Sequence, residues 1–342
     1  MKRTFRPELP NGLFGDPIVV VRLRWQPLGI LLDCGDTSRV ATRTLLDCRL
    51  LLVSHGHVDH LFGIGRALRV RFGRTEHPLH VLGPPGLARR LYGHLSTYTW
   101  NLVDAFPLRL SVSEVHPDRI ETWSFPERGG FEPERSEVRA WRPEDPVLED
   151  EQLEIFACPL DHAGLLSLAW LLRERVRYQV DPVRLAELGV PAGPWLSALK
   201  RALRSGAPPE TELELPGGER RPVAELRRAL IRESPGDTLA YATDLGPTDS
   251  NLRRLSRFAE GVRRLILETP FAAGDRALAL ENGHLSSIEA GRIAREARPG
   301  VLSPFHLSTR YEDDAERVLD EVRREAAPVP VETLPSGPGA PP

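Results

Sequence analysis

Three imidazoles and one carboxylate crowd the stretch Ser54-His55-Gly56-His57-Val58-Asp59-His60. Neutral imidazole and carboxylate are good ligands for zinc, and they also suit iron and manganese. A lone histidine is ordinarily a core or surface residue. Four potential ligands within six positions, directly after an apolar run, are hard to read that way.

The flanking pattern says how such a stretch is held. The run Leu50-Leu51-Leu52-Val53 reads as a buried strand, and residues 61–71 read as a helix. A strand alternates its side chains, and a helix groups them every three or four residues. A turn between the two can aim His55 and His57 one way and Asp59 and His60 another. One loop would then feed two adjacent metal ions.

The rest of the chain supplies further ends of strands. Residues 18–25 and 29–33 read as two strands joined by a turn at Gln26-Pro27, followed by the polar turn Asp33-Cys34-Gly35-Asp36. Residues 78–83 read as a strand, 86–92 as a helix and 108–123 as a hairpin. The cluster Tyr98-Thr99-Trp100-Asn101-Leu102 reads as core packing, with base stacking as the alternative. The charged, Pro-rich run 127–150 reads as surface. A strand over 153–158 delivers His162, at the position a third ligand beside His55 and His57 requires. A strand over 165–172 follows. Between 173 and 235 the pattern breaks into what reads as an insertion. It carries a basic helical stretch over 196–204, a Gly/Pro/Glu-rich loop and a second helix over 222–233. Lys200, Arg201 and Arg204, with Arg227, Arg228 and Arg232, offer cations to phosphates. A plain surface excursion is the bland alternative. The strand 238–241 ends in Ala242-Thr243-Asp244, whose carboxylate can give one oxygen to each of two ions. The strand 264–268 ends in Glu268. Ser286 caps a helix running to 297, and the strand 301–304 delivers His306. A helix over 313–325 closes the fold, and 334–342 reads as a disordered tail. Six of the ten histidines (55, 57, 60, 162, 284 and 306) thus fall at strand ends or helix starts.

Composition bounds the class. With 342 residues, 41% hydrophobic and 27% charged, the chain can bury a large core and reads as an ordinary globular protein. No apolar run approaches the ~20 residues of a membrane span, and Met1 to Arg6 lacks the apolar core of a secretory leader. Cys34, Cys48 and Cys158 are scattered and odd in number, which suits neither a disulfide framework nor a cysteine zinc site. A reducing, cytoplasmic compartment is the expectation. The net charge of −3 argues against a generally basic nucleic-acid binder, although the local field matters more than the sum. Lys2 and Lys200 are the only lysines.

The pattern His-x-His-x-Asp-His resembles the signature of the metallo-β-lactamase superfamily, where an Asp-x-Gly such as Asp33-Cys34-Gly35 commonly precedes it. The resemblance implies an α/β fold, an αββα sandwich with a binuclear site at one edge of its paired sheets. Gly283-His284-Leu285-Ser286-Ser287 and His306-Leu307-Ser308-Thr309-Arg310-Tyr311 look like the last two motifs of ribonuclease Z, the tRNA 3′-processing endonuclease. Glu268-Thr269-Pro270-Phe271 resembles that family's Glu-Ala-Thr-Phe segment. Gly189 to Pro194, followed by Leu199-Lys200, resembles its tRNA-binding arm, which also falls between the third histidine and the bridging aspartate. The chain departs from the family in two places. It has Pro10-Asn11-Gly12-Leu13-Phe14-Gly15-Asp16-Pro17 where the family has a Gly-Thr turn and a Pro-Thr-Lys-x-Arg-Asn loop, and Ala163-Gly164-Leu165 where the third histidine is commonly followed by Pro-Ser. It resembles a divergent branch.

By that resemblance, His55, His57 and His162 hold one zinc, Asp59, His60 and His306 hold the second, and Asp244 bridges them. Two such ions ~3.5–4 Å apart lower the pKa of a shared water and clamp an in-line displacement at phosphorus. Asp59 would also orient or deprotonate that water. His284 would protonate the leaving 3′-oxygen, with Glu268 orienting it. Substrate contact is implied at Gly193, Pro194, Lys200, Arg201, Arg204 and Arg310. The expected organisation is one hydrolase domain over 1–333, an arm inserted at 173–236 and a tail. The expected activity is zinc-dependent endonucleolytic cleavage of RNA, a tRNA precursor first, by a homodimer. The alternatives are a hydrolase of a small ester, lactone, thioester or cyclic phosphodiester, and an RNA-binding scaffold without catalysis.

Overall fold

A strand in the middle of a sheet covered on both faces has no wet side, which is why Leu50, Leu51 and Leu52 are all apolar. A computed structural model describes residues 4–24, 29–74, 77–101 and 108–337. In it Cys48–Leu52 is the fourth of eight strands that lie in chain order. The eight are Phe5–Glu8, Val19–Leu23, Gly29–Leu32, Cys48–Leu52, Leu79–Gly83, Leu110–Val115, Arg119–Phe125 and Glu134–Ala140. Gly29–Leu32, Cys48–Leu52, Leu79–Gly83 and Leu110–Val115 pair in parallel, and the outer pairs are antiparallel. Parallel pairing needs crossovers, and helix Thr42–Asp47, then helices Val58–Leu61 and Ile64–Arg71, then helix Leu87–Leu95 lie in the three of them.

The second sheet has six strands, in the order Leu302–Phe305, Arg264–Glu268, Thr238–Ala242, Leu165–Glu174, Leu153–His162 and Leu148–Glu149. Its three crossover strands are parallel and are linked through helices Asp249–Phe258 and Ser287–Ala297. Alternate side chains explain the layering. Val20, Leu31, Leu51 and Val81 pack against Ile64, Leu68, Leu87 and Leu91 on one outer face. Ala240, Ala242, Leu265 and Leu267 pack against Leu252, Leu255, Ala290 and Ile293 on the other. The intervening residues (Val19, Val21, Ile30, Leu32, Tyr241 and Ile266) are also buried. Tyr241 Oη donates to Asp33 Oδ2 at 2.6 Å across the two sheets. The layering is helix, sheet, sheet, helix.

The chain forms two compact units: Met1–Val147, Ile155–Leu172 and Thr238–Pro342 make one, and Leu148–Glu154 with Arg173–Asp237 the other. The second unit has its own core of Trp195, Leu199, Leu215, Val223, Leu226, Leu230 and Ile231. It contains helices Pro182–Glu187, Pro194–Arg204 and Val223–Leu230.

Several elements differ from the sequence expectation. Within the second unit, strands Arg177–Val180 and Ile231–Ser234 pair with each other, as do Glu212–Glu214 and Arg220–Pro222. The helix expected to run to 233 therefore ends at Leu230, where Ile231 turns out to pair with Val180. The helix expected over 61–71 is broken at Gly63, where a Cβ would sit 2.0 Å from the Gly35 carbonyl oxygen. The charged run 127–150 contains the edge strand Glu134–Ala140, mostly exposed and so without apolar alternation to announce it. Trp100 packs on Phe72 and Phe131 at centroid distances of 4.9 and 4.8 Å, as core packing requires, while Tyr98 is about half exposed. Leu102 and the expected turn at Gln26-Pro27 lie outside the described residues. Of the expected tail, Leu334 is buried and the Pro335 carbonyl accepts from Leu9 N–H at 2.9 Å; 338–342 lie outside the described residues. Among the described residues no helix is long and apolar enough to cross a membrane.

Candidate metal centre

Six strand ends converge on one edge of the paired sheets. Past Leu52 the chain stays extended through Ser54 and His55, and His57 then serves as the N-cap of helix Val58–Leu61. That change of conformation buries His55 and His60 completely and leaves His57 exposed. Ring centroids of His55 lie 4.4 Å from His57, 4.2 Å from His60 and 5.4 Å from His162. Asp244, directly after strand Thr238–Ala242, lies among them. Its Oδ2 is 3.5 Å from His55 Nε2 and 3.6 Å from His162 Nε2. Its Oδ1 is 3.5 Å from His60 Nε2 and 3.1 Å from His306 Nδ1. Asp59 Oδ2 lies 3.4 Å from His60 Nε2 and 3.8 Å from His306 Nε2.

The donor atoms form two groups within metal-ligating distance of one another, His55, His57, His162 and Asp244 in one, Asp59, His60 and His306 in the other. Donors ~2.0–2.1 Å from a tetrahedral zinc stand ~3.3–3.4 Å apart, close to the separations just given. The tautomers fit as well. His162 Nδ1 donates to the Gly283 carbonyl at 2.9 Å, and His60 Nδ1 donates to Asp33 Oδ2 at 2.9 Å. Ser54 Oγ donates to Asp33 Oδ2 at 2.8 Å and stands 3.0 Å from His55 Nδ1. Holding Nδ1 in this way turns Nε2 toward the cluster. At His60 burial opposes the charged form, but Asp33 and Asp244 outweigh it and raise the ring's pKa, so a cation there would take the place of the Nε2 proton. The Nε2 atoms of His55 and His60 are buried and have no hydrogen-bond partner. Buried nitrogens of that kind are costly unless something coordinates them. The residues present therefore fit a pair of divalent cations.

Charge favours the same use. Burial, then the charge of His60, pushes the His55 imidazolium pKa down to about 3, so the ring is neutral. Burial raises the Asp59 carboxyl, but His60 outweighs it and the result is about 2. Burial likewise opposes the ionised form of Asp244, and His306 and His60 overcome it. Both carboxylates are thus anionic among neutral or cationic imidazoles.

Glu268 is fully buried beneath the cluster. Its carboxylate accepts from Asp244 N–H at 2.8 Å, Leu245 N–H and Leu285 N–H at 3.2 Å each, and His284 Nδ1 at 3.0 Å. The bond through Nδ1 leaves His284 Nε2 free. Burial alone would lower the His284 pKa, but Glu268 raises it, to about 9. His284 lines a cavity of about 270 Å³ together with Asp59, His306, Phe271, Phe14 and Asp16.

Sharp turns aim these side chains. Asp244 (φ 50°), His306 (φ 55°) and Asp33 (φ 56°) all occupy the left-handed region, which non-glycine residues rarely adopt. The Asp244 turn is fixed by its bonds to Glu268 and by Asn251, whose Nδ2 donates to the Asp161 and Gly246 carbonyls at 2.7 and 2.9 Å. At Gly283 (φ 71°) a Cβ would lie 3.3 Å from His162 Nδ1, so glycine lets its carbonyl reach that ring.

The structure brings together His55, His57, Asp59, His60, His162, Asp244, Glu268, His284 and His306. Arg310 lies near them, 5.8 Å over the Phe271 ring and 3.5 Å from Asp275 Oδ1. Gly193, Pro194, Lys200, Arg201 and Arg204 lie in the second unit, on or capping helix Pro194–Arg204. Among the described residues Lys200, Arg201 and Arg204 enter no salt bridge, whereas Arg227 and Arg232 are paired with Glu233 and Asp181. Asp33, Ser54 and Asn251 support the cluster without standing among the sequence candidates. The Asp-x-Gly turn was the only sequence signal for Asp33, and Asn251 carries none.

No protein-family model matches the chain. Ribonuclease Z of Deinococcus radiodurans is 39% identical over 287 residues, covering 83% of this chain and 83% of that protein. Ribonuclease Z of Brevibacillus brevis is 27% identical over 306 residues, covering 86% and 81%. Among solved structures, the metallo-β-lactamase fold protein YhfI from Bacillus subtilis aligns with a TM-score of 0.55 at 18% identity, over 98% of each chain. The short form of human tRNase Z aligns with a TM-score of 0.50 at 16% identity, over 90% of this chain and 93% of that one. At such identities the structural likenesses speak for the fold alone.

Proposed function

Since this chain belongs to the ribonuclease Z family and has the metallo-β-lactamase fold, a metal-dependent hydrolase, we propose that it is a binuclear zinc phosphodiesterase that removes 3′ trailers from tRNA precursors. The observation that supports this most is the division of the Asp244 carboxylate, one oxygen facing His55 and His162 and the other facing His60 and His306. Bound there, two cations would supply an activated water and charge neutralisation at phosphorus. Asp59 orients the water. As the water oxygen bonds to phosphorus and the P–O3′ bond breaks, His284 Nε2 delivers its proton to the departing 3′-oxygen, giving a 3′-hydroxyl and a 5′-phosphate. Glu268 keeps His284 protonated and turned toward the cavity.

The inserted arm, 173–236, is proposed to grip the RNA through Gly193, Pro194, Lys200, Arg201 and Arg204, and Arg310 to contact it near the reacting phosphate. The free, buried cysteines Cys34, Cys48 and Cys158 support a reducing, cytoplasmic location. Family resemblance adds a homodimer. The test is cleavage of a precursor tRNA by zinc-loaded protein with the product ends mapped. A single cut after the discriminator nucleotide is expected. Turnover of bis(p-nitrophenyl) phosphate or lactones without any RNA cleavage would instead mark a small-molecule hydrolase.

A further inference from the structure

Arg90 stands beside the metal loop with no carboxylate to neutralise it. It is an exposed residue of helix Leu87–Leu95, and among the described residues it enters no salt bridge. Its guanidinium makes one long hydrogen bond, 3.4 Å from Nη1 to the Pro85 carbonyl. It also crosses the loop closely. A Cβ at Gly56 would fall 2.9 Å from Arg90 Nε, and a Cβ at Gly86 would fall 2.7 Å from Nη1. Glycine at both positions leaves the space that this arginine occupies.

Next to Arg90 opens an apolar cleft of about 460 Å³, lined by His57, Val58, Phe62, Leu87, Leu91 and His94 among others. His57, a member of the first donor group, forms part of its wall, so the cleft borders the donor cluster. Val58 is 74% exposed and Phe62 67% exposed. Large apolar side chains left in water beside a reaction centre mark a binding surface.

A lone guanidinium beside an apolar, aromatic-edged slot is complementary to a single nucleotide. The guanidinium matches phosphate oxygens in a fork geometry, and an aromatic face receives any base. The geometry points to this cleft as the subsite for a nucleotide flanking the scissile phosphodiester, with Arg90 holding its phosphate and Phe62 its base. The inference rests on the ribonuclease reading above.

The test compares kcat/KM for a precursor tRNA and for bis(p-nitrophenyl) phosphate in wild type, Arg90→Ala, Arg90→Lys and Phe62→Ala. Arg90→Ala should lower the RNA value about 10- to 100-fold, the worth of a charged hydrogen bond, and at least tenfold more than it lowers the small diester. Its log(kcat/KM) should also fall less steeply with log salt, by about 0.7–0.9 for one lost phosphate contact. Arg90→Lys should recover part of the loss. Phe62→Ala should cost about 5- to 100-fold on RNA. Equal effects on both substrates, or none on RNA that wild type cleaves, overturn the inference alone. So does a Phe62→Ala protein that changes from dimer to monomer in sedimentation without an RNA-specific loss, which would make this face a contact between copies. A wild type that cleaves no RNA overturns the ribonuclease reading, and this inference with it.

Discussion

At the scale of single residues, the proposed mechanism separates metal holding from proton delivery. His284 is bonded through Nδ1 to Glu268 and contributes to neither donor group. His284→Ala should therefore lower kcat by about 10²- to 10⁴-fold, the usual worth of a positioned acid, while atomic absorption still finds two metals per chain. Metal loss in that variant would remove the acid role. The sign of the pH dependence follows from the raised His284 pKa. A general acid works in its protonated form, so on the proposed mechanism activity should hold through neutrality and fall on an alkaline limb at or below about pH 9. Glu268→Gln removes the charge that raises it, and the limb should move to lower pH in the kcat/KM profile. Asp244 faces both groups, so Asp244→Ala should lose both metals or nearly so. Unchanged metal content would end its assignment as the bridge.

At the scale of elements, the candidate ligands are delivered by strands that stop at one edge and turn sharply. Left-handed backbone at Asp33, Asp244 and His306 is strained, and the structure offsets it with buried hydrogen bonds. Asp33 accepts from Ser54 N–H, Ser54 Oγ, His60 Nδ1 and Tyr241 Oη, so one carboxylate orients the His60 ring and ties the two sheets. Asp33→Asn should weaken metal affinity by about 10- to 100-fold, as loss of an outer partner typically does. A competitive chelator titration measures it, and an unaltered affinity would leave Asp33 with the sheet contact alone.

At the scale of the whole molecule, the second unit has its own core and its own ladders, and the residues of both donor groups all lie in the first. Removing 175–233 should lower cleavage of precursor tRNA far more than turnover of bis(p-nitrophenyl) phosphate. An equal loss on both would mean that the segment supports the fold rather than the substrate.

Candidate donors and the sheet-forming runs were legible in the chain alone. Ligand chemistry is written in residue type, and burial on both faces of a strand is written in unbroken apolar runs such as Leu50-Leu51-Leu52. His55 to His60 were legible because these donors are adjacent in the chain. His162, Asp244, Glu268, His284 and His306 were legible as strand ends or by resemblance, since their partners are up to hundreds of residues away. Packing in three dimensions sets which oxygen of Asp244 faces which histidines, brings four donors onto Glu268, and makes Asp33 and Asn251 hold the turns. It also decided the edge strand Glu134–Ala140 and the ladders of the second unit. Exposed or short strands carry little hydrophobic period, so only their partner strands define them.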